Sequence, residues 1–189
     1  SVNNVPGSVD YLSAETLALQ GQSDIMHILR QVPGVNLQEE EGYGLRPNIG
    51  LRGSGSDRNS RITVMEDAEP IAPAVYAAPS AYYFPATGRM SAIEVTKGPG
   101  TILYGPRTSG GAIHLFSTAI PETQAAYVEA LAGSYGRERL HVYGGGRTQL
   151  TEGLVGGLLI ETFQDNADGF LEREAGTADT GFDVSDYVV

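Results

Sequence analysis

Apolar residues near the start of the chain repeat with the period of an α-helix. Ser23 can cap such a helix at its amino end, and Pro33-Gly34 ends it. A shorter helix is predicted from a cap at Ser13 to Gly21. We expect the longer helix to pack on a sheet through its apolar stripe, which has the spacing i, i+3, i+4 and i+7: Ile25, Ile28, Leu29 and Val32.

Runs rich in alternating and β-branched residues follow the helices and predict strands. A long connector from Asp67 to Met90 carries four prolines and several aromatic residues. Loops of this length are usually functional or disordered, and the aromatic residues favour either a binding loop or packing against a neighbour. Helices interleaved with strands predict a mixed α+β domain with a small sheet. The predicted strands are Asn48–Arg52, Arg61–Glu66, Ala92–Lys97 and Gly111–Ser117.

The pattern changes near Thr118–Thr123, after which strand signals dominate and helix signals almost disappear. Gly144–Gly146 and Asp165–Gly169 are expected to form turns between strands. Alternating small or apolar and polar or aromatic residues fit a soluble antiparallel sandwich and a lipid-facing barrel wall equally well. The predicted strands are Ala125–Ser134, Arg137–Tyr143, Leu154–Phe163 and Asp183–Val189.

Composition narrows the classes of function. The 189 residues include 12 Lys and Arg against 23 Asp and Glu, a net charge of −11, which is not the basic footprint of a nucleic-acid-binding protein. Cysteine is absent, so disulfides, thiolate metal sites and cysteine nucleophiles are excluded. The sequence contains no apolar stretch long enough for a membrane-spanning helix.

Candidate chemical motifs are incomplete. Gly100–Gly105 has the glycine spacing of a phosphate loop without the following Lys-Ser/Thr. Ala132–Gly136 lacks the strand-turn-helix context of a nucleophile elbow, and Gln164–Gly169 lacks the anchoring carboxylates of a calcium loop. Glu39–Glu41 is expected to be a solvated charge run. We predict no catalytic residues and no metal site, and we expect the histidines to be surface or packing residues: His27, His114 and His141.

Five segments match a family pattern in order. Asp24–Val35 resembles a helix followed by Pro-Gly-Val, and Ile49–Gly55 resembles a Leu/Ile-Arg-Gly strand. Arg61–Ile71 resembles Val-Leu-Leu-Asp-Gly-Val-Pro-Ile, and Met90–Gly105 resembles Ile-Glu-Val-Arg-Gly-Pro followed by Leu-Tyr-Gly. Thr108–Ser117 resembles the closing Gly-Gly-Val-Ile-Asn-Ile-Ile. With these motifs, the chain resembles the plug domain of TonB-dependent outer-membrane receptors.

The resemblance implies an α+β plug domain over residues 1–120, followed over 121–189 by the first antiparallel transmembrane strands of an incomplete 22-stranded β-barrel. It implies a receptor in the outer membrane of a Gram-negative bacterium, in contact with outer-membrane lipid. Pro70–Pro85 is most similar to the ferric-citrate receptor branch. Two departures are Ala68, where the family usually has Gly, and Lys97, where Arg is common.

The implied function is import of a ferric chelate, ferric citrate or another siderophore, energised by TonB and its inner-membrane complex. Iron would be cargo, with no resident cofactor and no nucleic-acid partner. A soluble, non-enzymatic α+β binding module with a β-sandwich is the alternative. The proposed ligand contacts lie on outward loops, and the tyrosines among them could instead pack the plug against the barrel: Arg58, Asn59, Tyr76, Tyr82 and Tyr83.

The resemblance also implies a latch between plug and barrel. Arg52 and Lys97 match positions that meet carboxylates of the barrel wall, and Glu94 is expected to be their neighbour across the sheet. Ordinary cross-strand pairing is the alternative explanation of these charges.

Overall fold

The computed structural model describes residues 8–40, 43–71, 83–98, 108–169, 172–173, 176–177 and 181–189. The chain divides into two compact units, Ser1–Thr118 and Ala119–Val189, close to the predicted boundary at residue 120. Among the described residues, none of the helices has the length and apolar character needed to cross a membrane. Tyr76 and Tyr82, and the glycine-spaced segment Gly100–Gly105, lie outside the described residues.

Five described strands of the first unit form a mixed sheet in the order β1-β6-β7-β4-β5. β4 and β7 pair in parallel, whereas the other neighbours are antiparallel. A separate antiparallel hairpin joins β2 to β3. The predicted mixed α+β fold is therefore confirmed, although β1, β2 and β5 were not predicted. The strands are β1 (Ser8–Leu12), β2 (Val35–Gln38), β3 (Asn48–Leu51), β4 (Ile62–Glu66), β5 (Glu69–Pro70), β6 (Ala92–Lys97) and β7 (Gly111–Phe116).

The helices of this unit begin and end at short polar residues or glycine. Helix α1 (Ala14–Gln20) is capped by the Ser13 hydroxyl and ends at Gly21, whose φ of 60° is left-handed. Both features were predicted. Helix α2 (Ile25–Leu29) is capped by Asp24, whose Oδ1 accepts the Met26 N–H at 2.7 Å. The predicted cap at Ser23 is wrong by one residue, because the carboxylate one position later reaches the free N–H.

The core of the first unit lies where α2 packs on the strands. The predicted stripe is buried, and Val32 belongs to it although the regular helix ends at Leu29. Truncation of one such Leu or Ile to Ala typically costs about 2–5 kcal/mol. The fully buried partners from the strands are Ile49, Leu51, Ile93, Val95, Ile113 and Leu115.

A two-residue turn joins β4 to β5 and carries unusual backbone angles. Asp67 and Ala68 have φ values of 48° and 71°, the left-handed pair found in type I′ hairpin turns. The Asp67 carboxylate accepts the N–H of Ser117 at 3.0 Å and the hydroxyl of the same residue. The Ala68 N–H donates to Nε2 of His114 at 2.8 Å. Side chain or backbone groups at the end of β7 and just after it therefore bond to both residues of the turn.

Four strands of the described second unit form an antiparallel sheet in the order β13-β10-β9-β8. The predicted turn at Gly144–Gly146 is wrong, since these glycines lie inside β9. A Cβ at Gly145 would overlap the backbone of β10, so the glycine permits close strand approach. β10 also extends into Asp165–Gly169. The strands are β8 (Ala125–Ala132), β9 (Glu138–Thr151), β10 (Leu154–Ala167) and β13 (Phe182–Val188), with a short pair β11 (Glu172–Arg173) and β12 (Gly176–Thr177).

The two faces of this second sheet differ in chemistry. The middle of one face is apolar, and its Val128, Leu158 and Ile160 are each more than half exposed. On the other face His141 is buried and contacts Glu161 at 2.8 Å, with Phe163 beside its ring. The sheet therefore exposes these apolar side chains, while His141, Glu161 and Phe163 on its opposite face are buried.

Candidate functional site

The loop after β3 fixes the backbone of two predicted ligand contacts. Arg58 and Asn59 have φ values of 48° and 56°, a conformation that non-glycine residues adopt at a cost. The Arg58 N–H donates to Asn48 Oδ1 at 2.9 Å, and Asn59 Oδ1 accepts the Ile49 N–H at 2.5 Å. These reciprocal bonds attach the loop to the first residues of β3.

A close backbone approach completes this loop. A Cβ at Gly50 would overlap the carbonyl group of Gly55, so the loop can lie directly over β3 only because position 50 is glycine. Asn59 is 1% exposed, and its amide is therefore a structural support. Arg58 is the member of the pair whose side chain reaches the surface.

The guanidinium of Arg58 has an acidic partner that the sequence did not single out. Nη1 of Arg58 lies 3.0 Å from Oε2 of Glu40, and each side chain is 38% exposed. Oε1 of Glu40 accepts a hydrogen bond from Asn48 Nδ2 at 2.9 Å. Glu40 was expected to be part of a solvated charge run, whereas both of its carboxylate oxygens have partners here.

The predicted tyrosine contacts are described only at Tyr83. Its side chain is 48% exposed, and the adjacent Phe84 packs against the hydrophobic core. This segment leads into β6, whereas Arg58 and Asn59 follow β3, so the two parts of the predicted site come from different segments of the chain.

The charges of the predicted latch separate into two groups. Lys97 is 5% exposed, donates to the Pro33 carbonyl at 2.7 Å and forms an ion pair with Asp10. The Arg52 N–H donates to the next carbonyl, that of Gly34, at 2.9 Å, and the Arg52 side chain is exposed. Lys97 and Arg52 therefore meet at one turn.

Glu94 does not join them. It lies three residues before Lys97 on β6, and strand alternation directs the two side chains to opposite faces. On its own face Glu94 contacts the Thr96 hydroxyl at 3.4 Å and lies opposite His114.

Two titratable groups among the described residues of the first unit have shifted pKa values. Burial raises the pKa of Asp24, partly offset by the hydrogen bond from Met26. Burial lowers the pKa of His114, against the opposing influence of Glu94 and Asp67. Among the described residues, no three His, Asp or Glu side chains are grouped so that they could hold a metal ion.

Three residues that contact the predicted site residues were not identified from the sequence: Asp10, Glu40 and Asn48. Asp10 lies in an unpredicted strand, and its partner Lys97 is far along the chain. An alternation of Val35 and Leu37 with polar residues could have indicated β2, and with it the position of Glu40 beside the start of β3.

A small mixed sheet packed on short helices is the fold expected of a plug domain. The family model of the TonB-dependent receptor plug domain matches residues 1–112, more than half of the chain. The chain therefore belongs to this family. Its members are outer-membrane proteins of Gram-negative bacteria, and this location applies to the chain.

Individual relatives agree with this assignment. The vitamin B12 transporter BtuB of Vibrio vulnificus is 24% identical over 182 residues, which cover 96% of this chain and 27% of the relative. BtuB of Vibrio cholerae is 26% identical over 137 residues, covering 72% of this chain and 22% of the relative. The chain thus spans about a quarter of the length of these relatives.

Solved structures share the fold. The ferric citrate transporter FecA in its unliganded form is 25% identical, with a TM-score of 0.64, and the match covers 89% of this chain and 33% of FecA. The ferric yersiniabactin uptake receptor FyuA from Yersinia pestis is 24% identical, with a TM-score of 0.70, and the match covers 97% of this chain and 28% of FyuA.

Proposed function

We propose that this chain is the plug domain and first barrel strands of an outer-membrane transporter that imports a ferric chelate. Membership of the plug-domain family is the observation that carries the proposal. FecA is a ferric citrate transporter and FyuA a ferric yersiniabactin receptor, so ferric citrate or another siderophore is the proposed cargo. The proposed role is transport without a covalent step, and iron enters as cargo.

The second sheet supports a barrel wall over a soluble sandwich. A sandwich buries the apolar faces of its sheets against each other, whereas here Val128, Leu158 and Ile160 are exposed on one face. A barrel strand directs such residues toward lipid and polar residues toward the interior. We therefore propose that the strands from Ala125 onward begin a barrel in outer-membrane lipid, of the 22-stranded type that the resemblance implies.

The plug supplies the proposed ligand contacts. Arg58 offers charge-assisted hydrogen bonds, and Tyr83 offers exposed aromatic surface. Tyr76 and Tyr82 remain proposed contacts on the basis of the sequence. Asn59 acts through the backbone that it holds, because its own side chain is buried.

Energy for transport is proposed to come from TonB and its inner-membrane complex. Ligand binding would shift the plug, TonB would pull on it, and the plug would move or partly unfold to open a path. Arg52 is the proposed latch residue with the exposed guanidinium, whereas Lys97 already has Asp10 as a partner. We also keep Glu94 as a predicted latch residue, although it faces the other side of the sheet.

Uptake of radiolabelled ferric citrate and of an uncharged ferric trihydroxamate tests this function. Cells with and without the gene are compared, each with and without TonB. We expect uptake of at least one chelate to require both the gene and TonB. Absence of gene-dependent uptake of both chelates would refute the proposal. Recovery of the protein in a detergent-free soluble fraction would favour the soluble binding module instead.

A further inference from the structure

Arg58 does not present an isolated positive charge. The carboxylate of Glu40 lies against its guanidinium at 3.0 Å, and both side chains are 38% exposed. The pair has no net charge, and its exposure leaves it accessible to a ligand. A ligand that contacts Arg58 therefore meets Glu40 as well.

The position of Glu40 is fixed by the same residue that fixes Arg58. Asn48 donates through Nδ2 to Glu40 Oε1 at 2.9 Å and accepts the Arg58 N–H through Oδ1 at 2.9 Å. The hairpin of β2 and β3 brings the segment that carries Glu40 next to Asn48, since Gln38 pairs with Asn48. Glu40 is consequently built into the loop and does not merely approach Arg58 from solvent.

We propose that Glu40 determines the specificity of this site by disfavouring strongly anionic chelates. The proposal rests on the proposed transport function and on Arg58 as a ligand contact. An anionic group that binds Arg58 must share the guanidinium with Glu40 or displace it, and the two negative charges repel each other. A cargo that presents uncharged amide, hydroxamate or hydroxyl groups can bond to the neutral pair without this repulsion. The site therefore favours cargo with uncharged contact groups.

The expected size of the effect is moderate. Exposed ion pairs contribute little because solvent and salt screen them. Removal of the Glu40 charge should therefore tighten binding of an anionic chelate by about three- to ten-fold at low ionic strength. The same change should leave an uncharged chelate unaffected.

The test uses the purified receptor in detergent with two probes, ferric citrate and an uncharged ferric trihydroxamate. Glu40→Gln removes the charge and keeps a carbonyl oxygen for Asn48. Glu39→Gln is the matched control, because it makes the same change one residue earlier, where the partner is Arg30. Hydrogen exchange over residues 48–59 checks that the loop is retained. Affinities are measured at low and high salt.

The proposal requires that Glu40→Gln bind ferric citrate more tightly than wild type, or bind it where wild type does not, and that high salt reduce this gain. The affinity of Glu40→Gln for the trihydroxamate must equal that of wild type. Glu39→Gln must bind both chelates as wild type does. If wild type binds either chelate but Glu40→Gln leaves ferric citrate affinity unchanged, or shifts both chelates equally, the role of Glu40 is refuted while the transport function stands. If the wild type and both variants bind neither chelate, the proposed ferric-chelate function fails, and the specificity role fails with it.

Discussion

The backbone conformation of the turn between β4 and β5 predicts that Ala68→Gly stabilises the turn. Ala68 has a φ of 71°, and a non-glycine residue in this region costs about 1–2 kcal/mol. Glycine removes that strain but gains conformational freedom in the unfolded chain, which costs about 0.5–1 kcal/mol. The N–H that donates to His114 is retained. We therefore expect a net stabilisation of about 0.5–1 kcal/mol, the central part of the difference between these two ranges.

Hydrogen exchange of the segment 62–71 measures this effect where it arises. A stabilisation of about 0.5–1 kcal/mol corresponds to exchange about two- to five-fold slower when the turn opens locally. Ala18→Gly is the matched control, since Ala18 is exposed within α1 and the same change there should cost about 1 kcal/mol. Faster or unchanged exchange in 62–71 for Ala68→Gly, with the control behaving as expected, would refute strain at Ala68.

Other perturbations test the remaining features of the first unit. Burial lowers the pKa of His114 from its ordinary 6.5, so the unfolded state binds more protons than the folded state. The free energy of unfolding should therefore be highest above pH 6.5 and fall as the pH drops through the lower pKa of the folded state. Protection factors of 62–71 measured between pH 8 and pH 5, a range of about three units around the ordinary pKa of His, should show this loss, and the same loss in His114→Gln would contradict it. Asp24→Asn keeps the helix cap and removes a buried charge, so denaturant unfolding at neutral pH should show stability equal to or above wild type; Asp24→Ala should lose about 1 kcal/mol, and equal losses for both would count against this account. Gly50→Ala should destabilise the loop by about 1–3 kcal/mol, visible as faster exchange over 48–59, and unchanged exchange would show that the approach to Gly55 is not restrictive.

The sequence predicted those features that depend on residues close together in the chain. The apolar stripe of α2 and the Ser13 cap follow from spacing and from short-range hydrogen bonds, and both are present. The glycines at 144–146 predicted a turn, whereas they lie inside β9, and Gly145 allows β9 to approach β10 closely. Only the neighbouring strand reveals that role.

The candidate site divides in the same way. A cation in a loop made Arg58 recognisable from the sequence. Its partner Glu40 is 18 residues earlier and reaches it through the pairing of β2 with β3. Because the pairing of β2 with β3 was not predicted, the contact between Glu40 and Arg58 could not be predicted either, and only the structure shows it.

The strand order of the first unit also bears on when this unit can fold during export. β7, the last strand of its sheet in the chain, lies in the middle and hydrogen-bonds to both β6 and β4. Before residues 111–116 are available, the described strands can form only two-stranded pieces, β1 with β6, β4 with β5 and β2 with β3, and such pieces are marginal in water. We therefore expect the five-stranded sheet to form only after residues 111–116 have been delivered, so that most of the first unit can remain extended during export to the outer membrane.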